Sequence, residues 1–207
     1  MKVNDEQRTA MNVIRNDWWA TPVWEVHTEF DDVFNQQLLD EVSDYYNSVA
    51  DNPVKNIWDS TGPCVKQLND FILTTVKDAT YNELVEDFSD PNLNFYNVCA
   101  WLNYKPPGAN DLIHDHSGRK LTATYYINIP ENSGDLLLID PRGGADWGVV
   151  GGKKFKRYKP TKGKLVFFPG YLIHTVETNQ SSQARISLTA DIVVMPDRFI
   201  NYIKSIV

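Results

Sequence analysis

Two cysteines, Cys64 and Cys99, are all that the 207 residues contain. That is too few for a disulfide scaffold, and two thiols in a chain of this length fit a reducing compartment, the cytoplasm. No apolar run approaches the roughly twenty residues that a membrane-spanning helix needs. The first sixteen residues are polar and include acids, so they do not read as a signal peptide. Positive charge is in deficit, with 20 Lys and Arg against 27 Asp and Glu and a net charge of −7, which argues against general nucleic-acid binding. There is no Gly-rich phosphate loop, no dinucleotide fingerprint and no Ser–His–Asp order to mark other enzyme classes. Internal repeats and low-complexity linkers are also missing, so residues 1–207 read as one domain with a sizeable core.

What is present divides the chain in two. Residues 1–92 read as mainly helical. From Phe30 to Val49, apolar Phe30, Val33, Phe34, Leu38, Leu39 and Val42 recur near helical spacing, with acids on the other face. Val65 to Leu84 repeats the pattern through Leu68, Phe71, Ile72 and Val76. Ahead of both, alternation after Pro22 through Trp24 to His27 predicts a short strand. From residue 93 to 195 the character changes to short β-rich runs: Phe95–Tyr104, Lys120–Ile129, Asp135–Ile139, Lys164–Phe168 and Arg185–Val194. Turn signals such as Pro106-Pro107-Gly108, Glu131 to Gly134 and Pro169-Gly170 separate them. Many short strands preceded by packed helices predict an α+β chain, a double-stranded β-helix (jelly roll) with N-terminal supporting helices. Cys99, on a strand, is expected to be a small core residue.

One segment interrupts this pattern. Between Arg142 and Lys164 there are eight Lys or Arg residues and one acid, Asp146, with Trp147, Phe155 and Tyr158 among them. It is either a solvated loop or a lid that guides an acidic substrate. Its mixture of cations and rings is also of the kind that stacks on nucleic acid, though the acidic chain as a whole makes that partner a poor fit.

Three of the four histidines fall in two places. His114 and His116 are two apart, and alternate residues of a strand project to one face. His174 follows Phe167-Phe168-Pro169-Gly170-Tyr171-Leu172-Ile173. Imidazoles suit first-row metals, and a His-x-His pair with a distant third His makes an economical metal site. His27 stands alone and reads as a structural residue.

Beyond His174, the run Thr175 to Ala184 leads to Arg185-Ile186-Ser187. This resembles the closing motif of the 2-oxoglutarate/Fe(II) dioxygenases, a His followed about ten residues later by Arg-x-Ser. Tyr104-Lys-Pro-Pro-Gly-Ala-Asn-Asp-Leu-Ile-His114 and Thr124-Tyr125-Tyr126-Ile-Asn are similar to strands of prolyl hydroxylases of the hypoxia-factor type. Trp101-Leu-Asn103, His114-Asp-His116, Asp140-Pro-Arg142, Phe168-Pro-Gly-Tyr-Leu-Ile-His174 and the opening Trp19-Ala-Thr-Pro-Val-Trp24 look closer still to a family of 2-oxoglutarate/Fe(II) oxygenases common in marine bacteria and their phages. The resemblance implies that His114, His116 and His174 bind Fe(II). It implies that Arg185 grips the distal carboxylate of the co-substrate 2-oxoglutarate through its planar fork, and that Ser187 adds a hydrogen bond. It gives Tyr126 a contact to the same carboxylate and puts Tyr104 near the cofactor, although tyrosines in β-rich segments also serve as packing. No catalytic side chain beyond the metal ligands is implied. The reaction implied is hydroxylation of a C–H bond in a protein or peptide side chain, or in a small metabolite. A homodimer is compatible with the sequence, which carries no sign of symmetry.

The chain departs from that pattern at one position. Most members use two histidines and a carboxylate, whereas His116 stands where the acid belongs. On a regular strand Asp115 points to the opposite face and cannot replace it without a bulge. A second jelly-roll family, the cupins, offers an alternative, since Gly108, His114 and His116, then Gly163, Pro169 and His174, lie near cupin spacing. That alternative lacks the expected glutamate after the second His, where Lys120 and Leu121 stand, and leaves Arg185-x-Ser187 without a role.

Overall fold

The computed structural model describes residues 13–18, 21–49, 56–141 and 154–199. In chain order these form β1 (Val13–Trp18), β2 (Thr21–His27), α1 (Asp32–Ser48), a 3₁₀ turn at Ile57–Asp59, α2 (Pro63–Phe88), β3 (Leu93–Lys105), β4 (Leu121–Asn128), β5 (Leu136–Ile139), β6 (Phe155–Tyr158), β7 (Lys164–Pro169), β8 (His174–Val176) and β9 (Arg185–Pro196).

Both helices start for local reasons and are held by apolar faces. Asp31 caps α1, its carboxylate accepting from the Phe34 amide at 2.8 Å. Phe34, Leu38 and Val42 then bury at four-residue intervals. Pro63 opens α2, where a missing N–H costs nothing. The amides of Cys64 and Val65, which have no acceptor within the helix, donate to the Glu41 carboxylate of α1, at 3.1 and 2.9 Å, so one helix caps the other. Val65, Leu68, Ile72 and Val76 form the buried stripe of α2.

The strands form two antiparallel sheets. The larger has the order β1-β2-β7-β4-β9-β3 and the smaller β6-β5-β8. Alternation along the central strands feeds two cores. Trp24, Tyr125, Leu165, Phe167, Leu188 and Ala190 face the helices. Val23, Tyr126, Val166 and Phe168 face the small sheet, where they meet Leu136, Leu138, Tyr158 and Leu172. The large sheet is therefore covered on both faces, which is why β4 and β7 read as almost continuous apolar runs instead of alternating ones. Helices, large sheet and small sheet make three layers, the expected jelly roll with its supporting helices.

The structure differs from expectation in three places. In the N-terminal region the expected strand forms as β2, and an additional strand, β1, pairs with it, so this mainly helical half also extends the large sheet beside β7. Within the basic segment, Phe155–Tyr158 forms β6 and pairs with β5. Finally, His114 to His116 is not a strand. His114 makes an isolated bridge to His174, and His116 starts a turn closed by the Arg119 amide on its carbonyl at 3.0 Å.

Candidate active site

The bridge between His114 and His174 exchanges two backbone hydrogen bonds, 3.0 and 2.9 Å, which sets their rings 4.4 Å apart. His116 joins them because its amide donates to Gly170 O at 2.7 Å, and Gly170 N in turn donates to Lys120 O at 3.2 Å. That fit requires glycine: a Cβ at position 170 would lie 2.5 Å from Arg119 O and 2.8 Å from His116 O. One ring nitrogen from each of the three histidines falls within 4.8 Å of the others.

The tautomers follow from the neighbours. The sequence contains Leu-Ile-His twice, and both copies fold alike: His114 Nδ1 lies 2.7 Å from Leu112 O and His174 Nδ1 lies 2.8 Å from Leu172 O. His116 Nδ1 lies 2.7 Å from Asp191 Oδ1. A carbonyl and a carboxylate oxygen only accept, so each Nδ1 carries the proton and each Nε2 keeps its lone pair for an ion. Burial pushes the pKa of His174 down to about 4, which keeps that ring neutral and able to donate to a metal. Trp101 stacks on His116 with ring centroids 5.6 Å apart.

The sequence reading missed Asp191, a buried carboxylate only 6% exposed. Besides His116 it receives the Thr122 hydroxyl at 3.0 Å and faces Arg119 Nε at 3.5 Å. The signal was available in β9, where Arg185-Ile-Ser187-Leu-Thr189-Ala-Asp191-Ile alternates polar with apolar over eight residues. The apolar set faces the helices, and Arg185, Ser187 and Thr189 of the polar set line the space between the sheets. Neighbouring strands continue the pattern in register: Asn103, Ser187 and Tyr126 form one row, and Trp101, Thr189 and Thr124 the next. Asn103 Nδ2 donates to Thr189 Oγ1 at 2.8 Å, and the Thr189 and Thr124 hydroxyls lie 3.1 Å apart.

A cavity of about 160 Å³ lies over these rows, with the histidines at one end and Arg185 at the other. Arg185 is 3% exposed, and its Nε and Nη1 have no hydrogen-bond partner; nor does the Tyr126 hydroxyl. The guanidinium stands 5.5 Å from the Tyr126 ring. Burial pushes the Tyr126 phenol up to about 12, so it stays protonated and available as a donor. Ser187 also lines this cavity. A buried cation with two idle donors beside a neutral phenol has the chemistry to receive a carboxylate.

The other residues named from sequence fall elsewhere. Tyr104 lies on the face of β3 opposite to Asn103 and Lys105 and is 60% exposed, so the structure does not bring it to the cavity; the alternation of a regular strand turns it outward. Asp115 is exposed and caps the turn, accepting from the Ser117 amide at 2.9 Å, and the Ser117 bonds hold its carboxyl below the usual range. Cys99 is half-buried, and its Sγ lies 3.7 Å from Asp191 Oδ2, so it belongs to the polar rows and not to the apolar core. Residues 142–153 of the basic segment, Trp147 included, lie outside the described residues. Of the remainder, Arg157 pairs with Glu177, Lys162 with Asp32, and Lys164 with Glu25 at 2.9 Å. Those cations are engaged with the protein's own acids.

Residues 99–191 match the family model described as "Putative 2OG-Fe(II) oxygenase". That segment contains all three clustered histidines, Arg185 and Asp191. No curated protein sequence matches the chain. Among solved structures, similarity extends to a prolyl-4-hydroxylase of Pseudomonas putida, 16% identical, over 82% of this chain and 86% of that one, with a TM-score of 0.53. AviO1 of Streptomyces viridochromogenes is 10% identical over 84% and 90% of the two chains, with a TM-score of 0.59. The non-heme monooxygenase of the ThoJ–Ni complex is 12% identical over 87% and 78%, with a TM-score of 0.56. At these identities the likeness establishes the jelly-roll fold.

Proposed function

We infer, from the premise that residues 99–191 belong to the 2OG-Fe(II) oxygenases, how the side chains of this chain share out the work of that activity. The family brings Fe(II) and 2-oxoglutarate as its cofactor and co-substrate. His114, His116 and His174 hold the metal through Nε2, each fixed by the acceptor on its Nδ1. Arg185 binds the distal carboxylate of 2-oxoglutarate, with the Tyr126 hydroxyl and Ser187 as neutral donors beside it. When bound, iron and co-substrate supply the oxidation, coupling decarboxylation of 2-oxoglutarate to hydroxylation of a C–H bond. The protein supplies position, a fixed set of donors and a cavity walled by Trp101, Phe168 and Leu136 that limits water. Oxygenases of this kind act on small molecules or peptides, and we place the hydroxylated carbon in a peptide side chain or a small metabolite. Two free thiols, Cys64 and Cys99, support a cytoplasmic setting.

The observation that carries this reading is the Arg185 guanidinium, buried in the same cavity as the histidines with two donors unmet. A charge in that state costs several kcal/mol unless a ligand completes it. A cupin-type site has no use for it. The test is an anaerobic titration of Fe(II)-loaded protein with 2-oxoglutarate, following the visible charge-transfer band of the chelate. Arg185→Ala is expected to need at least ~30-fold more 2-oxoglutarate, the loss associated with truncating one member of a buried charge pair. Iron bound with no band in the parent would sink the reading.

A further inference from the structure

The three histidines are not equivalent. His114 and His174 each rest on a neutral backbone carbonyl, Leu112 O and Leu172 O, whereas His116 alone rests on a carboxylate. His116 is also the ligand that stands where most members of the superfamily carry an acid. The negative charge that this exchange removes from the metal's own ligands is therefore present one hydrogen bond further out. Asp191 is built to stay there. It sits on central β9 between β3 and β4, its Oδ1 takes both His116 Nδ1–H and the Thr122 hydroxyl, and Trp101 stacked on His116 fixes the ring plane.

The geometry points to Asp191 as a positioning residue that restores the missing anionic charge to a three-histidine iron site. This rests on the reading of the histidines as iron ligands. A carboxylate that draws the Nδ1 proton toward itself pushes electron density through the imidazole to Nε2, and so to the ion. Arg119, 3.5 Å from the other carboxylate oxygen and on the same turn as His116, moderates that donation without cancelling it, because its side chain is partly in solvent.

Asp191→Asn tests this with almost no change of shape. The amide oxygen can still accept from Nδ1–H, so a purely geometric prop survives while the charge is lost. Fe(II) affinity, measured by anaerobic competition against a chromophoric chelator, is expected to fall about 10- to 100-fold. The charge-transfer band of the 2-oxoglutarate chelate should move to shorter wavelength, since a less electron-rich iron gives up its electron less readily. Affinity within about threefold of the parent, together with an unmoved band, would overturn the inference while leaving the histidine site intact. A parent protein that binds no Fe(II), or whose binding survives His174→Ala, would instead remove the histidine reading and this inference with it. Should Asp191→Asn not fold, as judged by melting of the metal-free protein, Arg119→Ala carries the test. Stripping the moderating cation should shift the band to longer wavelength, and no shift there overturns the role of Asp191.

Discussion

At the histidine end of the cavity every Nδ1 has an acceptor, two of them backbone carbonyls and one a carboxylate. At the Arg185 end, 3% exposed, two guanidinium nitrogens and the Tyr126 hydroxyl have none. The first end is complete before any ligand arrives, and it needs only an ion to take up three prepared lone pairs. The second end carries an unpaid electrostatic cost that an anion relieves. A resident cofactor and a consumed co-substrate call for these two conditions, since one must stay and the other must come and go at every turnover.

The comparison breaks most visibly if the histidine end is not a ligand set. His174→Ala removes the most buried member of the three and should lower Fe(II) affinity by more than the ~100-fold expected for an outer partner. Retained tight binding in equilibrium dialysis would refute it. Arg185→Met sharpens the other half. Replacing an uncompensated buried cation with an apolar chain should stabilise the ligand-free protein by roughly 1–4 kcal/mol, a rise in Tm of several degrees for a chain of this size. With both proteins already loaded with a redox-inert metal, adding 2-oxoglutarate should stabilise the parent further and leave the variant nearly unmoved. A fall in the Tm of ligand-free Arg185→Met would show that the end was satisfied after all.

The smallest effect is in pH. Burial lowers His174 from 6.5 to about 4, so the unfolded chain takes up a proton that the folded one resists. The stability of metal-free protein should be complete above 6.5 and decline as pH falls toward 4, by on the order of 3 kcal/mol. His174→Phe should flatten that stretch of the urea-midpoint profile, and an unchanged slope would show that burial at this position is not what governs it.

Much of this was legible from residue order alone. Five of the seven strands described from residue 93 onward announced themselves by alternation and turns, and the structure brings the His-x-His, the third His and Arg-x-Ser to one cavity. What failed did so for definable reasons. Tyr104 was placed by likeness of motif, but strand parity turns it away from Asn103 and Lys105. β6 was hidden because its four residues, Phe-Lys-Arg-Tyr, carry charge where a strand signal expects apolar partners, and its pairing with β5 supplies the missing context. β1 was hidden because Val-Ile-Arg-Asn-Asp-Trp does not alternate, whereas β2 was legible after Pro22. Asp191 was visible as an acid at the right parity in β9, but only the register with Thr122 and the approach of His116 give it a purpose.

The bridge between His114 and His174 has one further consequence. His174 belongs to the small sheet through β8, while His116 is tied through Asp191 to the large one. An ion shared by these rings is a rivet between the two layers of the sandwich. Whatever free energy holds the ion also holds the layers together. On the proposed reading, iron then contributes to the stability of the fold as well as to the reaction. Metal-free protein is accordingly expected to melt below the metal-loaded form, because the tie between the layers is then missing.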